Sequence, residues 1–183
     1  MPDLPLFVRL DSADCTLMVD CQHRTPALLY FGKRLSASTT PEMLLQLSTR
    51  QEAKCAVVVE APISLSPLLG EGFTGAPGLE VVNDSIAWSA GPQLSEIKQV
   101  DEATVEFSST DNLRGINLVH RLQLDYHSNV LEASTHLTNL NDIPLQVNWC
   151  AAPTLQLPHH VNQLTSFEGR WSNEFQRHSL ALF

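Results

Sequence analysis

The stretch from residue 116 to residue 139, INLVHRLQLDYHSNVLEASTHLTN, decides the fold. In its first half Leu118, His120, Leu122 and Leu124 share one face of an extended chain, and Arg121, Gln123 and Asp125 share the other. A period of two with one apolar and one polar side marks an antiparallel sheet, covered on one face and wet on the other. Tyr126-His127-Ser128-Asn129 supplies the turn. The pattern predicts a hairpin with strands over residues 116–126 and 130–139.

Working outward, residues 85–89, 94–100, 103–108 and 145–153 read as further strands of a meander. Toward the N-terminus, residues 7–11, 16–21, 27–35 and 56–60 are short apolar runs set apart by Asp, Ser, Pro and Gly. Ala27-Leu28-Leu29-Tyr30-Phe31-Gly32 is continuous rather than alternating, as expected of a strand covered on both faces. One segment reads as a helix. Thr39-Thr40-Pro41-Glu42 offers a capping box with proline in the first turn, and Met43, Leu44 and Leu47 follow at helical spacing until the signal fades near Arg50. The expected fold is all-β, a single large antiparallel β-sandwich over residues 1–183 with about a dozen strands and one short helix.

Composition narrows the function. Hydrophobic residues make up 43% of the 183 and charged residues 17%, below the roughly 25% usual for soluble domains. That balance argues against disorder. Eleven Lys and Arg against twenty Asp and Glu leave 11 − 20 = −9, so a nucleic acid is not an expected partner. No segment approaches the ~20 apolar residues of a membrane helix, so no membrane partner is expected either. Asp3 stands where a signal peptide wants a cation. Cys15, Cys21, Cys55 and Cys150 show no metal-ligand spacing and read as buried thiols of a reducing cytoplasm.

Candidate chemistry is thin. His120 and His136 are expected to face each other across the hairpin, but zinc needs three or four ligands and no third is placed. His159-His160 reads as loop. Neither a metal nor a cofactor is expected. There is no GxSxG elbow. Glu71, Glu80, Asp84, Asp111, Asp125 and Asp142 are acid/base candidates by type alone, so no catalytic residue is assigned. Residues 62–79, PISLSPLLGEGFTGAPGL, form a glycine-rich irregular stretch of the kind that carries function in compact domains. The C-terminal FEGRWSNEF, residues 167–175, holds three aromatics with both charge signs, and apolar residues follow it. It shows no strand or helix signal, and is expected to pack on something further along a longer polypeptide.

Several of these segments stand in register with a known family. Leu28–Leu35 (LLYFGKRL), Pro67–Leu79 (PLLGEGFTGAPGL), Leu137-Thr138-Asn139, Leu155-Gln156-Leu157-Pro158, and Gly169-Arg170-Trp171 with Glu174-Phe175 resemble, in order, the motifs of the N-terminal domain of family 36 glycoside hydrolases, the microbial α-galactosidases. The resemblance implies a β-supersandwich of the galactose-mutarotase type. It implies a non-catalytic domain whose parent hydrolyses terminal α-galactosides on a following barrel that carries both catalytic aspartates. The implied partners are that barrel, the α-galactoside bound there, and further copies in a homo-oligomer. Two regions of this chain match family positions near substrate or interface. One is the loop of Gly70, Gly72, Phe73, Thr74 and Gly75, where the family's Asp-Phe-Arg is replaced by Phe73-Thr74-Gly75. The other is Arg170, Trp171, Glu174 and Phe175, expected at the domain interface. A free-standing aldose-1-epimerase-like enzyme using His120 or His136, and a sugar-binding module using Trp88, Trp149 and Trp171, stand as alternatives at this point.

Overall fold

The computed structural model describes residues 4–48, 63–83, 86–87, 90–157 and 161–182. Along them run β1 (Phe7–Asp11), β2 (Cys15–Asp20), β3 (Ala27–Lys33), α1 (Pro41–Ser48), one 3₁₀ turn (Leu69–Glu71), β4 (Leu79–Asn83), β5 (Ile86–Ala87), β6 (Gln93–Asp101), β7 (Thr104–Asp111), β8 (Ile116–Leu124), β9 (Leu131–Asn139), β10 (Leu145–Cys150), β11 (Gln163–Arg170) and β12 (Asn173–Ala181). The all-β, antiparallel expectation with a single short helix holds. The strands form four groups, ordered β1-β2-β3, β6-β7-β8-β9, β10-β4-β5 and β11-β12. The expected strand at residues 56–60, Cys55 and Trp88 lie outside the described residues, as do His159 and His160.

The deciding hairpin is β8 and β9. Ile116, Leu118, His120, Leu122 and Leu124 are buried, and the residues between them are half-exposed. On the wet face Arg121 Nη1 donates to Glu106 Oε1 of β7 at 3.0 Å, a cross-strand pair. The strands are shorter than predicted because Asp125 is drawn into the turn. Its carboxylate accepts the Ser128 hydroxyl at 2.6 Å and the Ser128 N–H at 2.7 Å. Those bonds hold it below the usual carboxylate range. Asn129 closes the turn at φ 59°. Its side-chain oxygen accepts the Ser12 hydroxyl at 2.8 Å, latching the turn to the loop between β1 and β2.

Among the described residues two apolar cores fill the interior. In the first, Val8 and Leu10 of β1 and Leu17 and Val19 of β2 meet Val105 and Phe107 of β7 and Leu122 and Leu124 of β8, with Leu65. In the second, Leu79 and Val81 of β4 meet Ile116 and Leu118 of β8, with Leu68 and Ala90. The β6–β9 sheet therefore spans both cores, and a different sheet covers each half.

Several expectations need correction. β3 is half-buried along most of its length rather than covered on both faces. The helix stands as expected, with Thr40 Oγ1 accepting the Met43 N–H at 3.4 Å, and none of its residues is buried. Of the thiols, Cys21 is buried, Cys15 half-buried and Cys150 exposed. The C-terminal segment from residue 167 onward, read as having no strand or helix signal, lies in the β11–β12 ribbon, residues 163–181.

Gly78 enters β4 under close constraint. A Cβ there would lie 2.5 Å from Ser66 Oγ and 2.9 Å from Ser66 Cα. The second of these is backbone and cannot swing aside. Gly78→Ala is expected to destabilise the domain by about 2 kcal/mol in urea unfolding; a change under 0.5 kcal/mol would contradict this packing.

Candidate functional site

The glycine-rich segment has a buried root and an exposed tip. Ser64, Leu65, Ser66, Pro67 and Leu68 are buried, as are Gly78 and Leu79 on the return. Backbone bonds fasten the root: Leu65 N–H to Pro26 O at 2.7 Å, Gly78 N–H to Pro67 O at 2.7 Å, and Thr154 N–H to Leu65 O at 2.7 Å. Leu69–Glu71 makes one 3₁₀ turn where no regular structure was expected, and Gly72 ends it at φ 85°, a left-handed geometry that favours glycine. Of the predicted loop residues, Gly70, Gly72, Thr74 and Gly75 are exposed. Phe73 is half-buried, and its ring lies on Gly75, where a Cβ would approach it to 2.6 Å. The ring thus closes on its own loop instead of projecting as a free stacking surface.

Glu71 is the residue of this loop with a chemical environment. Both carboxylate oxygens lie 3.2 Å from the Thr25 hydroxyl, which donates to them. Burial pushes its pKa above the ordinary value, and the Thr25 bond and the Arg24 and His23 charges offset part of that push. Arg24 in turn donates to the Gly91 carbonyl. Beyond it opens a polar cleft of about 320 Å³, lined by Arg24, Gln93, Thr110, Asp111 and Arg114 among others. None of residues 70–75 lines that cleft. Thr25 and Glu71 are 46 positions apart, so no local spacing signals the pair.

Of the other acidic candidates, Asp84 lies outside the described residues, and Asp111 and Asp125 hold turns. Asp111 accepts the Gly91 N–H at 2.9 Å and the Leu113 N–H at 3.0 Å. Asp125 holds its turn as described. Among the described residues no three His, Cys, Asp or Glu converge to hold a metal. No helix among them is long and apolar enough to cross a membrane.

His120 and His136 do not face each other. The turn falls where expected, but the register sets His120 opposite Thr135 and His136 opposite Val119. Adjacent residues of a strand point to opposite faces, so His136 is exposed while His120 is 2% exposed. His120 Nδ1 lies 3.0 Å from Thr135 Oγ1. A sugar cannot reach it, which removes the basis of the epimerase-like alternative at His120.

The predicted interface residues sit at the end of the β11–β12 ribbon. Arg170 pairs with Asn173 across a turn that presents Trp171, 94% exposed. Ser172 at φ 66° and Phe175 at φ 56° are left-handed, and the register shifts between Glu168 and Arg170. This is a bulge, and there Gly169 passes so close to Glu174 that a Cβ would meet its Cα at 2.7 Å. A bulky aromatic in that conformation is uncommon. The bulge leaves Phe175 83% exposed. Glu174 Oε1 accepts the Ser172 N–H at 3.1 Å. Thus the structure gathers Arg170, Trp171, Glu174 and Phe175 at one tip. Trp149, also exposed, lies on β10.

Residues 24–182 match the glycosyl hydrolase family 36 N-terminal domain. The chain is 27% identical over 176 residues to an α-galactosidase of Escherichia coli, covering 96% of this chain and 24% of that protein. Among solved structures it is similar to the α-galactosidase of Lactobacillus brevis, at 16% identity and a TM-score of 0.79, over 97% of this chain and 27% of that one. It is also similar to a family 36 α-galactosidase of Geobacillus stearothermophilus in complex with raffinose, at 13% identity and a TM-score of 0.77, over 97% and 28% of the two chains. At such identities the structural likeness speaks for the fold. The chain spans about a quarter of the length of these relatives.

Proposed function

The chain belongs to the glycosyl hydrolase family 36 N-terminal domains, and from that premise we propose that it is the non-catalytic N-terminal domain of an α-galactosidase-like hydrolase. In this reading the parent hydrolyses terminal α-galactosides on a separate catalytic domain, with two carboxylates as nucleophile and acid/base. This domain buttresses that catalytic domain and supports assembly of the oligomer.

The observation that carries the reading is the β11–β12 ribbon. An isolated two-stranded ribbon is marginal in water, and both of its faces are open along nearly its whole length. Trp171 and Phe175 stand at its tip, and large aromatics are the commonest anchors of protein interfaces. Arg170 and Glu174 supply charge of both signs beside them, as at the polar rim of such an interface. The loop tip of Gly70, Gly72, Phe73, Thr74 and Gly75 is assigned a place near the sugar site, as a wall rather than a set of polar ligands. A cytoplasmic home accords with the free thiols of Cys15, Cys21 and Cys150, the Cys21 thiol being pushed up to about 12 by burial and the Asp20 charge.

The chain alone is expected to release no p-nitrophenol from p-nitrophenyl α-galactoside; turnover above the blank would overturn the non-catalytic reading. Trp171→Ala combined with Phe175→Ala is expected to leave the melting temperature of the chain within about 2 °C, because both side chains are exposed. The same pair should abolish co-purification with a separately expressed catalytic domain of the parent. Undiminished co-purification would remove the ribbon from the interface.

A further inference from the structure

We propose that the boundary between the two apolar cores is an internal water site, held by His120 Nε2, Ser109 Oγ and Ser66 Oγ. Three chain segments cross that boundary, and each places a polar residue on it. On β8, Ile116 and Leu118 belong to one core and Leu122 to the other, with His120 between them. On β7, Phe107 belongs to the first core and Ser109 is the next inward residue. In the root of the glycine-rich segment, Leu65 belongs to the first core and Leu68 to the second, and Ser66 lies between.

All three polar atoms are buried and, among the described residues, have no protein partner. Buried polar groups are otherwise nearly always satisfied, by protein or by ordered water. The register supplies the spacing. Ser109 stands opposite Leu118, and His120 opposite Phe107, so Ser109 and His120 are diagonal neighbours, roughly 7 Å apart at the backbone. In the proposed site one water bonds to each of the two side chains at about 2.8–3.0 Å. With Nδ1 engaged by Thr135, Nε2 is left as the second hydrogen-bonding atom of the ring. The chemistry closes for either imidazole tautomer, since a water and two rotatable hydroxyls can each donate or accept. Buried waters typically make about three hydrogen bonds, the number these groups offer.

The site does more than satisfy orphaned atoms. Ser66 is fixed against Gly78, so water bonded to its hydroxyl ties the root of the exposed loop to the central sheet. The test is a crystal structure of the chain at about 1.5 Å, or water–protein NOE spectroscopy. The expected result is an ordered water within about 3.2 Å of His120 Nε2 and of at least one of Ser109 Oγ and Ser66 Oγ. Ser109→Ala or Ser66→Ala should remove or displace it, and amide exchange at Leu65 and Gly78 should quicken about tenfold. A direct bond from Nε2 to either serine, or a dry boundary, would overturn the proposal.

Discussion

Phe107→Ala is expected to cost about 3–5 kcal/mol of folding stability, the range for deleting a fully buried aromatic ring. Phe107 is 0% exposed, lies on β7 between β6 and β8, and packs in the first core with β1 and β2 residues. Its removal strips contacts from two sheets at once. The backbone around it is held by ladders on both sides, at Ile97 and at His120, so the cavity cannot collapse cheaply. A domain of ordinary stability holds roughly 5–15 kcal/mol, so the loss brings this one close to unfolding at room temperature. Urea titration should show a large fall in midpoint with an unchanged slope. Leu113→Ala, on the exposed β7–β8 turn, serves as the control and should stay within about 0.5 kcal/mol. A Phe107→Ala loss below 1 kcal/mol would mean that the β1–β3 sheet does not pack on β7 as described.

What was legible in the sequence follows from which faces are covered. β8 alternates cleanly because one side lies against both cores and the other meets water, so a period of two survives in the residues. The β11–β12 ribbon hides for the opposite reason. Leu164 and Phe167 fall on opposite parities of β11, and Phe175 and Leu180 do the same on β12. With both faces open, no periodicity is selected. The root of the glycine-rich segment misleads in a third way. Ser64 and Ser66 read as loop residues by type, yet both are buried, because the backbone there is satisfied by bonds to Pro26, Gly78 and Thr154 that no local pattern announces. The His120–His136 expectation failed on parity alone: a four-residue turn pairs positions 120 and 135, and the next residue must point away. The loop of residues 70–75 and the tip at residues 170–175 stood out in the sequence as family motifs. The Glu71–Thr25 pair in that loop arises from a contact too distant in sequence to be read.

The second large effect is on pH. Stability is expected to fall by up to about 3 kcal/mol as pH drops from about 6.5 to below 4, through His120. Burial of the ring lowers its pKa from 6.5 to about 4, so the native state keeps it neutral while the unfolded chain takes up a proton. The contribution is therefore whole above pH 6.5, shrinks as pH falls, and is gone below the folded value. Glu71 works in the opposite sense. Its raised pKa means that protonation favours the folded state, but its half-exposed carboxylate makes that gain the smaller term. Asp125, held low by Ser128, loses its contribution only below the ordinary carboxylate range, which leaves the interval from 6.5 to 4 chiefly to His120. The measurement is urea unfolding at half-unit pH steps for the wild type and for His120→Leu. The variant should lose most of the slope in that interval, whatever its stability at neutral pH, because leucine has no proton to exchange between the two states. If the two profiles run parallel from pH 6.5 to 4, the ring is accessible to protons in the native state, and the buried position assigned to it on β8 is wrong.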